Sequence, residues 1–316
     1  MGKAKVFIDG SEGTTGLRIN ERFAGRDDIE ILKIDPELRK DAGERKKLIN
    51  ASDYTFLCLP DVAAKEAVAL CDNPETVIID ASTAHRTNPD WAYGLPELSK
   101  EHFEKVRTYK RIAVPGCYAS GFVMIAYPLV AEGIVPDDYP FTVPALSGYS
   151  GAGKKAIALY EADDKAKELF APREYALLQM HKHIPEMKVI TGLSREPIFV
   201  PVVDDYYCGM IVNVPIHADL MKKRMTPEKL RDMFASYYEG QTFIRVLPYG
   251  AENETGGFIA ANNMAGLDYA NILVTGNEDR IMIMAIFDNL GKGASGAAIE
   301  CMNISMGIDP ATGLAV

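Results

Sequence analysis

The amino-acid sequence predicts a two-domain protein, in which an α/β domain with a parallel sheet is followed by an α+β domain with a mainly antiparallel sheet. The first observation is that short β-rich runs alternate with helical patterns up to Pro115, which is typical of βαβ units. The second is that longer strand patterns with fewer helices follow Pro115. The third is the turn Gly276-Asn277-Glu278-Asp279, which separates two strand patterns and predicts an antiparallel hairpin.

Each element of the two domains follows from the period of its apolar residues. The strands predicted in the first domain are Lys5–Ile8, Ile29–Ile34, Tyr54–Leu59, Thr76–Ile79 and Arg111–Val114. The helices predicted between them are Leu17–Phe23, Arg39–Ile49 and Ala63–Leu70. The strands predicted in the second domain are Phe141–Leu146, Ile198–Val203, Met210–Ile216, Phe243–Val246, Asn271–Thr275 and Arg280–Phe287. A last helix is predicted over Ala294–Met306, and the sequence does not name its packing partner.

Composition and charge narrow the classes of protein. The 316 residues are 47% hydrophobic and 25% charged, which is typical of a soluble globular protein. The net charge of -10 argues against nucleic acid or a membrane surface as a partner. The N-terminal residues lack the apolar core of a signal peptide, so we expect a cytoplasmic protein.

The cysteines indicate neither a disulfide framework nor a metal knuckle, because they are odd in number and widely spaced. They are Cys58, Cys71, Cys117, Cys208 and Cys301. Reduced thiols fit a cytoplasmic location, and the remaining question is which thiol reacts.

A glycine-rich turn follows the first predicted strand and precedes the first predicted helix. Its predicted phosphate-binding residues are Gly10, Gly13, Thr14, Thr15 and Gly16. Glycines there permit a sharp turn, and the N–H groups of a helix N-terminus favour a pyrophosphate. The alternative is a plain glycine-rich turn without a ligand. Asp35 lies where an acidic residue binds a ribose hydroxyl and favours NAD, whereas Arg39 and Lys40 suit the 2′-phosphate of NADP.

Cys117 is the candidate nucleophile. It lies in Val114-Pro115-Gly116-Cys117, at the end of a strand and the start of an apolar helix. The positive end of a helix dipole favours a thiolate, so this position suits a nucleophile. Cys58, in a core-like strand, and Cys71, on a helix, are interpreted as packing residues.

Two histidines are candidates for proton transfer to and from a substrate. The segment His181-Lys182-His183-Ile184-Pro185-Glu186 contains both of them, with a cation and a carboxylate. A metal pair and an exposed polar segment are the alternatives. No third ligand is adjacent in sequence, so we predict general acid–base chemistry and no metal.

A third segment, Gly148 to Lys154, satisfies the opening GxxxxGK of a phosphate-binding loop. Lys155 replaces the Ser or Thr that binds Mg²⁺ in nucleoside triphosphatases, so that class of enzyme is disfavoured. The remaining interpretation is a loop that binds an anionic substrate, with Lys154 as its cation.

Two polar segments at predicted strand ends are further candidates for cofactor contacts. Asp80 to Arg86 follows the fourth strand, and Asp288 to Ala297 joins a strand to the last helix. Open α/β sheets bind ligands at such strand ends. The alternative is that each segment is only a loop and a helix cap.

The chain resembles the N-acetyl-gamma-glutamyl-phosphate reductases, in their shorter form, over nearly its whole length. The resemblance rests on an ordered set of segments, which is more specific than any one of them. They are VFIDGSEGTTGLRI, DASTAHR, YGLPEL at 93–98, VPGCYASG, SGYSGAGKK, HKHIPE and DNLGKGASGAA. Single members are shared with aspartate-semialdehyde dehydrogenases and their relatives.

This resemblance implies NADPH-dependent reduction of N-acetyl-L-glutamyl 5-phosphate to N-acetyl-L-glutamate 5-semialdehyde and phosphate, in arginine biosynthesis. It favours NADP over NAD, against the plain interpretation of Asp35. It also implies a Rossmann-like dinucleotide-binding domain over residues 1–115 and a catalytic and dimerisation domain over 116–289. The C-terminal helix, within 290–316, is then expected to return to the first domain, and the protein to be a homodimer or homotetramer.

The resemblance implies a role for each candidate residue. Cys117 forms a thioester with the acyl group, and His181 or His183 moves the proton. Ser147, Ser150 and Lys154 bind the substrate. The cofactor is held by the glycine-rich turn together with Ser82, Arg86 and Asn289. Two alternatives stay open: the same chemistry on aspartyl or N-acetyl-aminoadipyl phosphate, and a nicotinamide-binding sensor without turnover.

Overall fold

A computed structural model describes residues 2–316. These residues divide into two compact units. The first unit contains residues 2–116 and Ala294–Leu314, and the second contains Cys117–Gly293 and Ala315–Val316.

The first unit is built on a six-stranded sheet. Its strands are β1 (Ala4–Asp9), β2 (Ile29–Leu32), β3 (Tyr54–Leu57), β4 (Val77–Asp80), β5 (Ala92–Tyr93) and β6 (Arg111–Ala113). Its first four helices are α1 (Thr14–Phe23), α2 (Ala42–Ala51), α3 (Asp61–Ala69) and α4 (Lys100–Thr108). The strand order is β2-β1-β3-β4-β6-β5, and every neighbouring pair is parallel. The predicted parallel sheet is confirmed.

The second helix begins later than its apolar pattern predicts. It starts at Ala42 rather than Arg39, because the Asp41 side chain accepts a hydrogen bond from the Glu44 N–H at 2.8 Å and caps the helix. The two-residue strand β5 and the helix α4 were not predicted. A strand of two residues is too short to show a period.

A buried ion pair joins α2 to the end of β1. The Arg45 guanidinium donates to the Asp9 carboxylate at 2.9 Å, and both side chains are buried. Burial raises the pKa of Asp9 above its usual value, while the hydrogen bond and charge of Arg45 oppose that rise. The pair therefore fixes α2 at the carboxyl end of β1, next to the glycine-rich turn.

The last helix packs within the first unit. A wide π-helical turn over Gly291–Ser295 precedes α9 (Gly296–Met306), so the helix begins two residues later than the predicted Ala294. Its apolar side chains, among them Ala297 and Ile299, share one core with residues of β1, β3, β4 and β6. The parallel sheet is thus the packing partner that periodicity alone did not name.

The second unit is built on a seven-stranded mixed sheet. Its strands are β7 (Thr142–Gly148), β8 (Arg173–Glu174), β9 (Ile198–Asp204), β10 (Met210–His217), β11 (Ile244–Val246), β12 (Ala270–Gly276) and β13 (Arg280–Phe287). Its helices are α5 (Cys117–Ala131), α6 (Lys154–Tyr160), α7 (Ile184–Thr191) and α8 (Pro227–Tyr237). The order is β11-β12-β13-β10-β7-β9-β8, with parallel pairing only in β11/β12 and β7/β9. The predicted mainly antiparallel sheet, including the β12–β13 hairpin, is confirmed.

The helix α5 lies unusually close to this sheet. It is buried along most of its length and packs on β10 and β13. A Cβ atom at Gly121 would lie 2.5 Å from Cγ2 of Val212 and 2.9 Å from Cε1 of Phe287. Glycine is therefore required for the observed approach. Among residues 2–316, no helix has the length and apolar character needed to cross a membrane.

We expect Gly121→Ala to lower the free energy of unfolding by about 1–3 kcal/mol, because the added methyl group overpacks the contact with Val212 and Phe287. Urea unfolding followed by circular dichroism measures the change. Gly25→Ala is the control, since Gly25 has no atom within 4 Å of a Cβ. A Gly121→Ala variant as stable as the wild type would contradict this account of the packing.

Candidate active site

The glycine-rich turn lies at the carboxyl end of β1 in the first unit. Gly10 has φ +86°, which reverses the chain, and its carbonyl accepts a hydrogen bond from the Gly13 N–H at 3.0 Å. The following helix α1 has no side-chain cap at Gly13. The Thr14 hydroxyl is buried and has no hydrogen-bond partner among the described residues. Uncapped N–H groups and an unsatisfied hydroxyl fit the pyrophosphate of a dinucleotide.

A cavity of about 260 Å³ lies beside this turn, between α1 and the end of β2. Its lining includes the cations Lys33 and Arg39 and the carboxylate of Glu12. Arg39 and Glu12 form an exposed ion pair at 3.0 Å. Asp35 is exposed, and its carboxylate accepts the Glu37 N–H at 2.9 Å. The cavity wall therefore carries cations suited to a 2′-phosphate. The Asp35 carboxylate, which would favour NAD, instead binds the backbone of its own turn.

Ser82 lies just beyond β4 in a buried polar cluster. Its hydroxyl donates to Asp80 at 2.7 Å, and the same carboxylate oxygen lies 2.6 Å from Nδ1 of His85. The His85 ring stacks on Trp91, with ring centroids 4.0 Å apart. Asp80 thus orients both Ser82 and His85. Cofactor binding by Ser82 stays a prediction.

Arg86 connects two strand ends of the first unit. Its Nε donates to the Val114 carbonyl at 2.8 Å, and one terminal nitrogen donates to the Ala81 carbonyl at 3.0 Å. Val114 follows β6 and Ala81 follows β4. The buried guanidinium therefore holds the backbone at this edge, and its contact with a cofactor stays a prediction.

Cys117 is the first residue of α5 and is partly exposed. The Tyr118 hydroxyl donates a hydrogen bond to the Val202 carbonyl at 3.3 Å, and the Tyr118 and Tyr175 rings lie 6.4 Å apart. Burial is the main reason that the pKa of each tyrosine is raised above its usual value. Both phenols therefore stay protonated near neutral pH beside the candidate nucleophile.

His181 and His183 lie together in the second unit, with perpendicular rings 4.6 Å apart. The Tyr118 ring is 6.1 Å from each of them, so the residue after Cys117 contacts both. Nδ1 of His181 accepts a hydrogen bond from the backbone N–H of His183 at 3.1 Å. A neutral His181 therefore carries its proton on Nε2. Protonation of Nδ1 would break this hydrogen bond.

Tyr118 and Tyr175 are not among the site residues predicted from the sequence. Tyr118 carried a usable signal, because it follows Cys117 directly in the helix. Tyr175 carried no such signal, because its approach to Tyr118 depends on the path of the chain after β8.

Asn289 ties two backbone segments of the second unit together. Its carbonyl oxygen accepts the Gly209 N–H at 2.8 Å, and its amide donates to the Ser150 hydroxyl at 3.0 Å. Ser147 is also buried, and its hydroxyl donates to the Gly148 carbonyl at 3.1 Å. Lys154 is exposed at the start of α6. The ligand roles of all four residues stay predictions, and Lys154 alone among them is exposed.

The described residues contain no group of three or more His, Cys, Asp or Glu side chains arranged to hold a metal ion. The interpretation of Cys58 as a packing residue is supported. Burial, with the nearby charges of Asp80 and Asp9, raises the pKa of its thiol to about 12.

Comparisons with known proteins match both units to domains of semialdehyde dehydrogenases. Residues 117–289 match the family described as semialdehyde dehydrogenase, dimerisation domain. Residues 5–106 match the semialdehyde dehydrogenase NAD binding domain.

Two similar curated proteins span almost the same length as this chain. N-acetyl-gamma-glutamyl-phosphate reductase 2 of Nostoc sp. is 41% identical, with 99% of this chain and 100% of the relative covered. N-acetyl-gamma-glutamyl-phosphate reductase of Sinorhizobium medicae is 44% identical, with 96% and 99% covered.

Solved structures resemble the fold at low sequence identity. Aspartate semialdehyde dehydrogenase II of Vibrio cholerae, complexed with ASA, superposes with a TM-score of 0.72 at 15% identity, covering 97% of this chain and 99% of that one. Aspartate semialdehyde dehydrogenase of Francisella tularensis superposes with a TM-score of 0.71 at 14% identity, covering 95% and 99%. These likenesses concern the fold alone.

We expect iodoacetamide near neutral pH to label Cys117 rapidly and Cys58 hardly at all, because a thiol with a pKa of about 12 is protonated there. Peptide mass spectrometry at successive times measures both rates. Cys117→Ser removes the fast reaction, while Cys71→Ser leaves it in place. Labelling of Cys58 at a rate similar to that of Cys117 would refute the assignment.

Proposed function

Because the chain belongs to the N-acetyl-gamma-glutamyl-phosphate reductase family, we propose that it reduces N-acetyl-L-glutamyl 5-phosphate to N-acetyl-L-glutamate 5-semialdehyde and phosphate. NADPH is the proposed electron donor, and arginine biosynthesis the proposed pathway. The observation that carries the proposal is the grouping of Tyr118, Tyr175 and two histidines around the start of α5, where Cys117 lies.

The reaction begins at the Cys117 sulfur. Its thiolate attacks the acyl carbon of the substrate, the bond from that carbon to the phosphate oxygen breaks, and inorganic phosphate leaves. The product is a thioester on Cys117. Backbone N–H groups at the start of α5 stabilise the negative charge that develops on the acyl oxygen.

NADPH, when bound, supplies the hydride that reduces the acyl carbon. Cys117 holds that carbon in place, and the resulting oxyanion takes up a proton to give a thiohemiacetal. Loss of that proton then breaks the carbon–sulfur bond, which releases the aldehyde and restores the thiolate. Residues that move this proton act as general acid and base in turn.

The two histidines have different roles in this proposal. Nδ1 of His181 accepts a backbone hydrogen bond, so His181 donates from Nε2 to the reacting oxygen without changing its charge. His183 moves the proton, because the hydrogen bond that holds His181 in one tautomer involves the backbone N–H of His183 and not its ring. Tyr118 and Tyr175 remain neutral beside them.

The first unit supplies the residues proposed to hold NADP. The N–H groups of Thr14 to Gly16 and the Thr14 hydroxyl suit the pyrophosphate. Arg39 suits the 2′-phosphate, which then replaces Glu12 as its anionic partner. Lys154 is proposed to attract the anionic substrate.

We further propose a homodimer or homotetramer in the cytoplasm. The family description of residues 117–289 as a dimerisation domain supports self-association. Leu177, Leu178 and Met180 are more than 70% exposed, which suits an interface between copies. Thiols such as Cys117 are kept reduced in the cytoplasm, which supports this location.

We expect the wild type to form NADPH from N-acetyl-L-glutamate 5-semialdehyde, phosphate and NADP⁺, and Cys117→Ser to lose at least about 1,000-fold in kcat because no thioester forms. Absorbance of the reduced nicotinamide measures both rates. Cys71→Ser is the matched control, since this thiol lies in the first unit and donates a hydrogen bond to the Asn73 carbonyl at 3.5 Å.

The same assay with aspartate semialdehyde and N-acetyl-aminoadipate semialdehyde tests the substrate, and NAD⁺ in place of NADP⁺ tests the cofactor. Faster turnover of either other aldehyde would overturn the substrate assignment. Binding of NADPH without any turnover would indicate a sensor instead.

We expect His183→Asn to lower kcat by about 100-fold or more and to remove the limb of the kcat profile that titrates between about pH 5 and pH 8. His181→Asn should lower kcat while keeping that limb, because His181 donates a hydrogen bond and does not titrate in the cycle. Steady-state kinetics across pH separates the two. The opposite pattern, with the limb lost only in His181→Asn, would exchange the two roles.

A further inference from the structure

The edge of the sheet in the second unit is interrupted just before the histidines. β8 pairs antiparallel with β9, with Arg173 opposite Val203 and Glu174 opposite Val202. One more hydrogen bond follows, from the Tyr175 N–H to the Pro201 carbonyl at 3.2 Å. The chain then turns away from β9 through Ala176, whose φ is +52°.

The backbone of Phe199 would meet the next residues of β8 if that strand continued. Instead, both of its polar groups bind the side chain of Gln179. The Gln179 amide donates to the Phe199 carbonyl at 2.8 Å, and its oxygen accepts the Phe199 N–H at 2.9 Å. A primary amide presents a donor and an acceptor side by side, as a strand residue does.

Gln179 adopts a conformation that is unusual for a residue with a side chain. Its φ is +56°, and it and Ala176 are the two non-glycine residues with positive φ among residues 2–316. Such conformations persist only where surrounding contacts hold them. The neighbours Leu178 and Met180 are 84% and 83% exposed, so apolar packing within the chain does not hold this turn.

The segment held in this way is residues 175–183, called the histidine loop below. Phe199, which Gln179 binds, also packs its ring 5.0 Å from His181 and 5.1 Å from Tyr118. The two hydrogen bonds between Gln179 and the Phe199 backbone are called the Gln179 clamp below. They hold the histidine loop against β9, at the residue whose ring packs on His181.

We propose that Gln179 is a positioning residue, whose amide replaces a missing strand residue at the β9 edge and thereby sets His181 and Tyr175 beside the start of α5. It touches no reacting atom and acts through the histidine loop. The effect on turnover rests on the proposed function, whereas the clamp itself does not.

The test compares Gln179→Gly and Gln179→Glu with the wild type. Glycine accepts the positive φ but loses both hydrogen bonds. Glutamate has the same size, but its ionised carboxylate accepts from the Phe199 N–H and cannot donate to the Phe199 carbonyl. Both variants should lower kcat for the semialdehyde by about tenfold or more with KM little changed, because a displaced loop weakens interactions in the transition state.

Two measurements separate positioning from general damage to the fold. The His183 amide, which donates to Nδ1 of His181, should exchange its hydrogen about tenfold faster or more in both variants. The urea midpoint, followed by circular dichroism, should stay close to that of the wild type, because α5 and the sheets are held by their own packing and not by the loop.

Ala176→Gly is the matched control. It relieves the other positive φ of the loop and leaves the Gln179 clamp intact. Its kcat and its His183 exchange rate should stay within about twofold of the wild type.

Unchanged kcat in both Gln179 variants, or an unchanged His183 exchange rate, would overturn the proposal. A urea midpoint that falls together with kcat would also overturn it, since that result means general damage to the fold. If the wild type does not turn over the semialdehyde, the proposed function fails, and the exchange rates still decide whether Gln179 holds the loop.

Discussion

The close packing of α5 on the antiparallel strands is the physical constraint on which the candidate active site depends. At Gly121 the helix backbone approaches Val212 and Phe287 so closely that no side chain fits between them. Cys117 lies about one turn earlier in the same helix. Because protein interiors are packed at the density of organic crystals, a helix seated in this way has one position and not a range of them. The packing of α5 on the sheet therefore fixes the position of the Cys117 thiol.

Polar side chains around this helix act mainly on the backbone. Asn289 binds the Gly209 N–H and the Ser150 hydroxyl, and Gln179 binds both backbone groups of Phe199. In the first unit, Arg86 binds two carbonyl groups at strand ends. Each such bond contributes only about 1 kcal/mol, but leaving a buried polar group without its partner costs about 1–3 kcal/mol. These side chains therefore specify where turns lie more than they add to stability.

The positive charges proposed to bind ligands are local, whereas the protein as a whole is acidic. The chain carries a net charge of -10, yet the ligands proposed for it are anions. Lys33 and Arg39 line the cavity of the first unit, and the uncapped start of α1 adds the positive end of a helix dipole. A local field of this kind acts over a few ångströms, because salt screens exposed charges beyond about 8–10 Å. The acidic remainder of the surface is then no obstacle to binding.

Local sequence patterns predicted the two sheets, most of their strands, and the position of Cys117 between a strand and a helix. These features follow from apolar periods and from glycine and proline, which act within a few residues. It missed β5, β8, α4, α7 and α8, and it predicted the start of α2 three residues too early, before the Asp41 cap.

Only the tertiary structure decided how the side chains around Cys117 are arranged. Gln179 meets Phe199 across 20 positions, and Tyr118 meets Val202 across 84. Spacing along the chain carries no information about which loop faces which strand edge, because that depends on the order of strands in the finished sheet. The partner of the last helix was undecided for the same reason, since its apolar face suits any exposed apolar surface until the parallel sheet supplies one.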